Sequence, residues 1–441
     1  MEDLTLRQNT LTTATRRAPA TRLLEARRGP VQALARRALL SKFEHIAEGR
    51  FHLHDGREDR VFGRETPDFE VTASVCVKDP AFWTRVAFGG SIGAAESYID
   101  GEWTADDLTR VLRTFVRNRE ALTGMEGGVG RILVPLQRAW HRMRDNTRGG
   151  SRRNIAAHYD LGNDFYATFL GPTMMYSAAL FERADMTLEE AQTAKLERLC
   201  QKLDLRPSDH LLEIGTGWGG LALHAARAHG CRVTTTTISK AQHDYTVQRV
   251  RDAGLSDRIQ VLIEDYRDLR GTYDKLVSVE MIEAVGHRWY DRFFGTCSKL
   301  LAPDGLMALQ AIVIDDRHYD EALRSVDFIQ RHVFPGSTIP SVGAITSCAA
   351  RVTDMHLVHH EDLTPHYART LELWRERFFA SLDRVRALGF DERFTRLWEY
   401  YLCYCESGFA ERQIGSVQMV YAKPRNRRAP ILGRIPQHAA T

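Results

Sequence analysis

The chain has 441 residues, 43% of them hydrophobic and 27% charged, with Lys+Arg of 60 against Asp+Glu of 57. That length fills two or three domains of roughly 150 residues, and the composition excludes a disordered, collagen-like or disulfide-scaffold chain. A net charge of only +3 argues against a dedicated nucleic-acid binder, which carries a strongly basic domain.

Residues 1–50 hold ten Lys/Arg against five Asp/Glu. Among them, Leu34, Leu39, Leu40 and Phe43 interleave with Arg36, Arg37 and Lys42. This pattern predicts a helix that either lies on anionic lipid or packs on its own domain with a solvated basic face. Alternating segments between Phe51 and Val77, such as Phe69-Glu70-Val71-Thr72-Ala73, predict short strands, and a helix follows over about Asp106 to Leu122. Arg131 to Arg153 carries seven Arg against one acid, Asp145, and reads as an exposed linker and a second basic patch suited to phosphate head groups. The expected division is residues 1–130, a linker 131–153, and residues 154–441.

Beyond the linker, Thr187-Leu-Glu-Glu190 is a capping box opening a helix to about Leu203. Strands His210–Ile214, Cys231–Ile238, Ile259–Ile263, Lys275–Val279 and Leu306–Ile314 then alternate with helices Gly219–His229, Lys240–Ala253 and about Trp289–Leu300. The fold class is therefore α/β, a mostly parallel sheet with helices on both faces, preceded by a smaller α+β N-terminal domain. Leu306–Ile314 is the longest apolar run at nine residues and contains Gln310, so it is a buried strand, far short of the roughly 20 residues of a membrane helix. Seven cysteines without a Cys-x-x-Cys imply neither a disulfide framework nor a zinc site, and no metal is expected. With no apolar signal-peptide core, the expected location is the cytoplasm.

The central motif is Glu213-Ile-Gly215-Thr-Gly217-Trp-Gly219-Gly220, after a strand and before a helix, where glycines let a ligand approach the backbone. Gly215, Gly217 and Gly220 also satisfy a dinucleotide pattern. A dinucleotide enzyme wants an acid about 20 residues on, however, and the second strand ends Thr234-Thr235-Thr236-Thr237-Ile238-Ser239 without one. Thr234 to Thr236 read as strand formers alone.

Several further segments stand in order. They are Ala94-Ala-Glu-Ser-Tyr98-Ile-Asp-Gly-Glu-Trp103, His158-Tyr-Asp-Leu-Gly-Asn163-Asp164, Met175-Tyr-Ser177, Val279-Glu280-Met-Ile-Glu283-Ala-Val-Gly286, Ile329-Gln-Arg-His-Val-Phe334-Pro-Gly336, His366-Tyr-Ala-Arg-Thr-Leu371 and Tyr401-Leu-Cys-Tyr-Cys405. With the glycine turn they cover residues from about 85 to 422, and the chain resembles the cyclopropane-fatty-acyl-phospholipid synthase family, which includes the mycolic acid cyclopropane synthases.

The resemblance implies a Rossmann-like methyltransferase domain with an S-adenosylmethionine site. That site would involve Tyr176, Ser177, Glu213, Gly215, Gly217, Gly219, Thr237 and Gln242, with Tyr266 and Arg267 flanking the adenine. Tyr176 offers a ring face to a sulfonium, and Thr237 and Gln242 offer polar partners in place of the missing acid. Methylating an alkene leaves a carbocation on the chain, so a base must take a proton and water must be kept out. In this family the base is a bound bicarbonate. Glu283 matches the glutamate that anchors it and Tyr367 the hydroxyl donor, while Gln310 stands where bicarbonate-holding members have histidine, and Ala178 where many have cysteine. Cys405 aligns with a cysteine described in the family as a nucleophile. His356, His359, His360 and Glu361 read as surface residues, not ligands.

The expected reaction gives a cyclopropane on the cis double bond of an unsaturated acyl chain in membrane phospholipid. A close variant gives a 10-methylene chain. A methyltransferase for a small molecule or protein and a non-catalytic lipid binder are the other classes. The expected enzyme docks peripherally on the inner membrane face through its two basic stretches, with no nucleic-acid partner, and a homodimer is left open.

Overall fold

The computed structural model describes residues 29–122 and 161–431, so residues 1–28, the basic stretch Arg131–Arg153 and the segment His158–Asp160 lie outside the described residues. The N-terminal layer runs α1 (Pro30–Phe43), β1 (Arg50–His54), β2 (Asp59–Phe62), β3 (Thr72–Val77), α2 (Ala81–Ile99), β4 (Trp103–Ala105) and α3 (Leu108–Arg117). Its four strands lie in the order β2-β1-β3-β4, with β1 and β3 parallel and both outer pairings antiparallel. Helix α1 buries Leu39, Leu40 and Phe43, and the Phe43 ring sits 5.6 Å from Phe51 and 5.8 Å from Phe62. Of the two arrangements expected for this helix, Leu39, Leu40 and Phe43 adopt packing on the helix's own layer. Arg36 is bound to Asp55 and Glu58, and Val31 and Leu34 point outward.

The second sheet is built from α4 (Leu188–Leu203), β5 (His210–Ile214), α5 (Gly220–His229), β6 (Arg232–Thr237), α6 (Lys240–Asp252), β7 (Ile259–Ile263), β8 (Tyr273–Val279), α7 (Tyr290–Leu300), β9 (Leu301–Ile314), α8 (Val342–Val352), β10 (His356–Asp362), α9 (Thr364–Ala380), α10 (Glu392–Ala410) and β11 (Ile414–Ala422). The strand order is β10-β11-β9-β8-β5-β6-β7; β9, β8, β5, β6 and β7 are parallel, and β11 and β10 close one edge antiparallel. The two-residue period of a strand sorts the core. Leu211, Val277 and Ala308 pack with Leu199, Leu221 and Ala225 on one face, while Leu212, Leu276 and Leu309 pack with Phe293, Phe294 and Ile345 on the other. Each such buried aliphatic or aromatic side chain contributes about 1.5–3 kcal/mol.

The chain leaves β5 toward β6 and β7, then returns to the other side of β5 with β8. The order therefore reverses between β5 and β8, which is where an open parallel sheet forms its crevice, at the C-terminal strand ends. The Ala94–Trp103 motif seats the N-terminal layer on α10: Tyr98 Oη donates to Glu399 at 2.7 Å, Arg396 Nε donates to the Tyr98 carbonyl at 2.6 Å, and the Arg396 guanidinium lies 4.0 Å over the Tyr98 ring.

Candidate active site

Strand β5 ends at Ile214, and the chain turns into α5 through Gly217 and Gly219 at φ of 52° and 83°. A Cβ on Gly219 would lie 2.6 Å from Thr246, so this glycine seats α5 on α6. A Cβ on Gly217 would meet nothing within 4 Å, because it opens into a cavity of about 280 Å³. The amides of Gly215 and Thr216 donate to the Thr236 carbonyl and tie the turn to β6. Thr235 Oγ1 donates to Glu213 at 2.6 Å and shares a 2.7 Å hydrogen bond with Thr216, Thr234 bonds His210, and Thr236 donates to the Glu264 carbonyl. The threonine run thus does more than form strand, as each of these hydroxyls braces a neighbour. Burial pushes the Glu213 carboxyl up to about 8.

At the end of β6, Thr237 Oγ1 donates to Gln242 Oε1 at 2.8 Å, and both line the cavity. Tyr266 and Arg267 line it too, but the Arg267 guanidinium turns back onto Asp265 at 2.6 and 2.8 Å. Ser177 Oγ accepts from the buried ammonium of Lys195 at 2.6 Å, and burial lowers that ammonium to about 8. Neither Lys195 nor Asp265 was flagged by sequence reasoning. The signal for Lys195 is its place in the apolar stripe of α4, with Leu188, Ala191 and Leu199.

Across the cavity, past the end of β8, stands a second residue that sequence reasoning passed over. Glu280 Oε1 accepts from the Ala178 amide at 3.0 Å and from Gln310 Nε2 at 2.8 Å, and Oε2 accepts from the Tyr367 hydroxyl at 2.7 Å. Gln310 is oriented from behind, because Gln418 Nε2 donates to its Oε1 at 2.9 Å and Lys202 donates in turn to Gln418. Lys202 also binds Glu361, which Arg198 shares, so Glu361 anchors this relay. Glu283 lies on a short helical turn, Ile282–Ala284, and its Oε1 accepts from the Ile312 amide at 2.5 Å. Its Oε2 is buried with no hydrogen-bond partner among the described residues. Burial, then the Glu280 charge, pushes the Glu283 carboxyl up to about 8.

Tyr176 and Tyr401 share a 2.7 Å hydrogen bond, and with Phe334 they form an aromatic wall of the cavity. Of the expected residues, the structure brings Tyr176, Ser177, Glu213, Gly215, Gly217, Thr237, Gln242, Tyr266, Arg267, Glu283 and Tyr367 to this cavity. Gly219 and Gln310 stand behind it. Cys405, on α10, does not line it, and burial pushes its thiol up, away from a reactive thiolate. Among the described residues, one group brings metal-ligating atoms within 4.8 Å of one another: Cys200, His224 and His229. Both of its imidazoles bond Glu197.

The family model for Mycolic acid cyclopropane synthetase matches residues 147–419. The tuberculostearic acid methyltransferase of Mycobacterium tuberculosis is 42% identical over 333 residues, 74% of this chain and 77% of that protein. The chain belongs to the mycolic acid cyclopropane synthetase family. The cyclopropane-fatty-acyl-phospholipid synthase of Escherichia coli is 36% identical over 355 residues, 80% of this chain and 88% of that protein. A crystal structure of a mycolic acid cyclopropane synthase complexed with SAH and CTAB superposes with a TM-score of 0.58 at 34% identity, covering 62% of this chain and 98% of that one. As a family member, the chain is an S-adenosylmethionine-dependent methyltransferase. The open approach at Gly217 fits that donor. Bicarbonate does not fit: Tyr367, the hydroxyl expected to donate to it, holds Glu280 instead, as do Gln310 and the Ala178 amide, the two positions that depart from the family's pattern.

Proposed function

We propose that this enzyme methylates the cis double bond of an unsaturated acyl chain in membrane phospholipid and closes the added carbon into a cyclopropane. The observation that carries this reading is one cavity onto which both the glycine turn and the Glu280, Glu283 and Tyr367 cluster open. The donor, when bound, supplies an electrophilic methyl group on a sulfonium. Gly217 admits it, the Thr237 and Gln242 pair offers it polar partners, and Glu213 supplies a buried carboxyl for its ammonium. The ring faces of Tyr176, Tyr401 and Phe334, which line the cavity, stabilise a cation on the acyl chain without reacting with it.

The relative named for phospholipid cyclopropanation supports the substrate class. A second reading, in which a hydride shift precedes proton loss and leaves a methylene branch, is favoured by the higher identity, 42% against 36%, to the relative named for tuberculostearic acid, a methyl-branched acid. No helix among the described residues is long and apolar enough to cross a membrane. Access to such a substrate then requires surface docking, for which residues 1–130 and the basic linker 131–153 are the proposed elements, on the inner membrane face. The purified protein, incubated with donor and vesicles of cis-monounsaturated phospholipid, is expected to add one carbon to the chain. Loss of the olefinic proton signals marks the ring, and new terminal-methylene signals mark the branch. A protein that ignores the vesicles and methylates a soluble acceptor contradicts the proposal.

A further inference from the structure

We infer that the Glu280 carboxylate occupies the anion seat of this site and is itself the base that takes the proton from the transferred methyl group, an inference that rests on the reaction proposed above. Three donors converge on it, from the Ala178 amide, Gln310 and Tyr367, and the Gln418 contact fixes which end of the Gln310 amide faces it. Glu280 holds this place at φ 47°, a left-handed conformation that costs a side-chain-bearing residue about 1–2 kcal/mol and persists only where the surroundings impose it. Glu213 and Glu280 already share the charge of one buried ammonium, Lys195, and Glu283 adds a third carboxyl beside Glu280. A free bicarbonate would add a further anion where the Ala178 amide, Gln310 and Tyr367 are already taken. Glu280 sits deep in the molecule yet keeps accessible surface, and it lines the cavity. Its Oε1 takes two donors and its Oε2 only one, so Oε2 retains a lone pair for a proton.

The step balances. The alkene π pair forms a carbon–carbon bond to the methyl carbon, and the carbon–sulfur bond breaks with its electron pair going to sulfur. The acyl chain is left as a cation. Glu280 Oε2 accepts a proton from the added methyl group, and the freed carbon–hydrogen pair closes the ring, or forms the exocyclic double bond after a hydride shift. The neutral Glu280 acid returns the proton to water when the product leaves.

Two arms test this. In the first, carbon-13 bicarbonate is titrated into the purified protein and its linewidth followed. The wild type is expected to leave the signal sharp. Glu280→Gly, which relaxes the positive φ and empties the seat, is expected to broaden it. In the second, turnover is measured on monounsaturated phospholipid vesicles in carbon-dioxide-free buffer. The wild type is expected to be indifferent to added bicarbonate, Glu280→Gln to lose about 10²–10⁴-fold while still binding donor, and Glu280→Gly to regain activity with bicarbonate. A wild type that binds and requires bicarbonate, or Glu280→Gln at wild-type turnover, overturns the inference. If no form yields lipid product, the proposed reaction fails instead, and the titration still decides who holds the seat.

Discussion

Glu283 keeps its proton to about pH 8 because it is buried beside Glu280 with a single amide donor. In the unfolded chain the same carboxyl ionises near its ordinary 4.5. The folded state therefore holds more protons between those values, so stability falls as pH rises through that window and this contribution is gone above about 8. Melting curves from pH 5 to 8 should show a steeper decline for the wild type than for Glu283→Gln; parallel slopes would remove the buried acid. Glu283→Ala removes the carboxyl that stands against Glu280, so turnover on vesicles should fall while calorimetry still records donor binding, and unchanged turnover would show that Glu283 does not tune the base. Glu283 and Tyr367 were legible because each sits in an ordered motif, and Gln310 because it stands, in an apolar strand, where the family's bicarbonate-holding members have histidine. Glu280 was not, although it stands three residues before Glu283 in the same motif. What distinguishes it is a backbone conformation and three converging donors from distant elements, none of which leaves a local trace.

The β5–α5 turn separates two uses of glycine. Gly217→Val places a side chain where the cavity is open, so donor affinity should fall by at least about tenfold, beyond the roughly 1–2 kcal/mol of backbone strain. Gly219→Ala forces a contact with Thr246 at the base of α5, and thermal melts should show it mainly as lost stability, by about 1–3 kcal/mol. If both variants bind donor normally, the turn is not its cradle. The parallel strands were legible because period-two burial, the capping box at Thr187 and the glycine turns agree on the same boundaries. The antiparallel edge was not. Strand β10 is a largely exposed run of His356 to Asp362 whose strand character comes from pairing with β11, not from any alternation of its own.

Across the whole molecule, a net charge of +3 conceals basic stretches at 1–50 and 131–153. In α1 the Arg36 charge is matched by Asp55 and Glu58, which leaves Arg37 exposed beside the outward-facing Leu34. If these stretches dock the enzyme, turnover on anionic vesicles should drop steeply from about 50 to 300 mM salt, as screening shortens to a few ångströms. A flat profile would return them to ordinary solvated surface. The central claim is that an alkene is methylated and the added group then loses a proton to a buried carboxylate. The most direct test supplies a donor with a trideuterated methyl group, together with monounsaturated phospholipid, and weighs the product chain. Two retained deuteriums are predicted, for ring and methylene branch alike; three retained deuteriums, or label found only outside the lipid, would contradict the account.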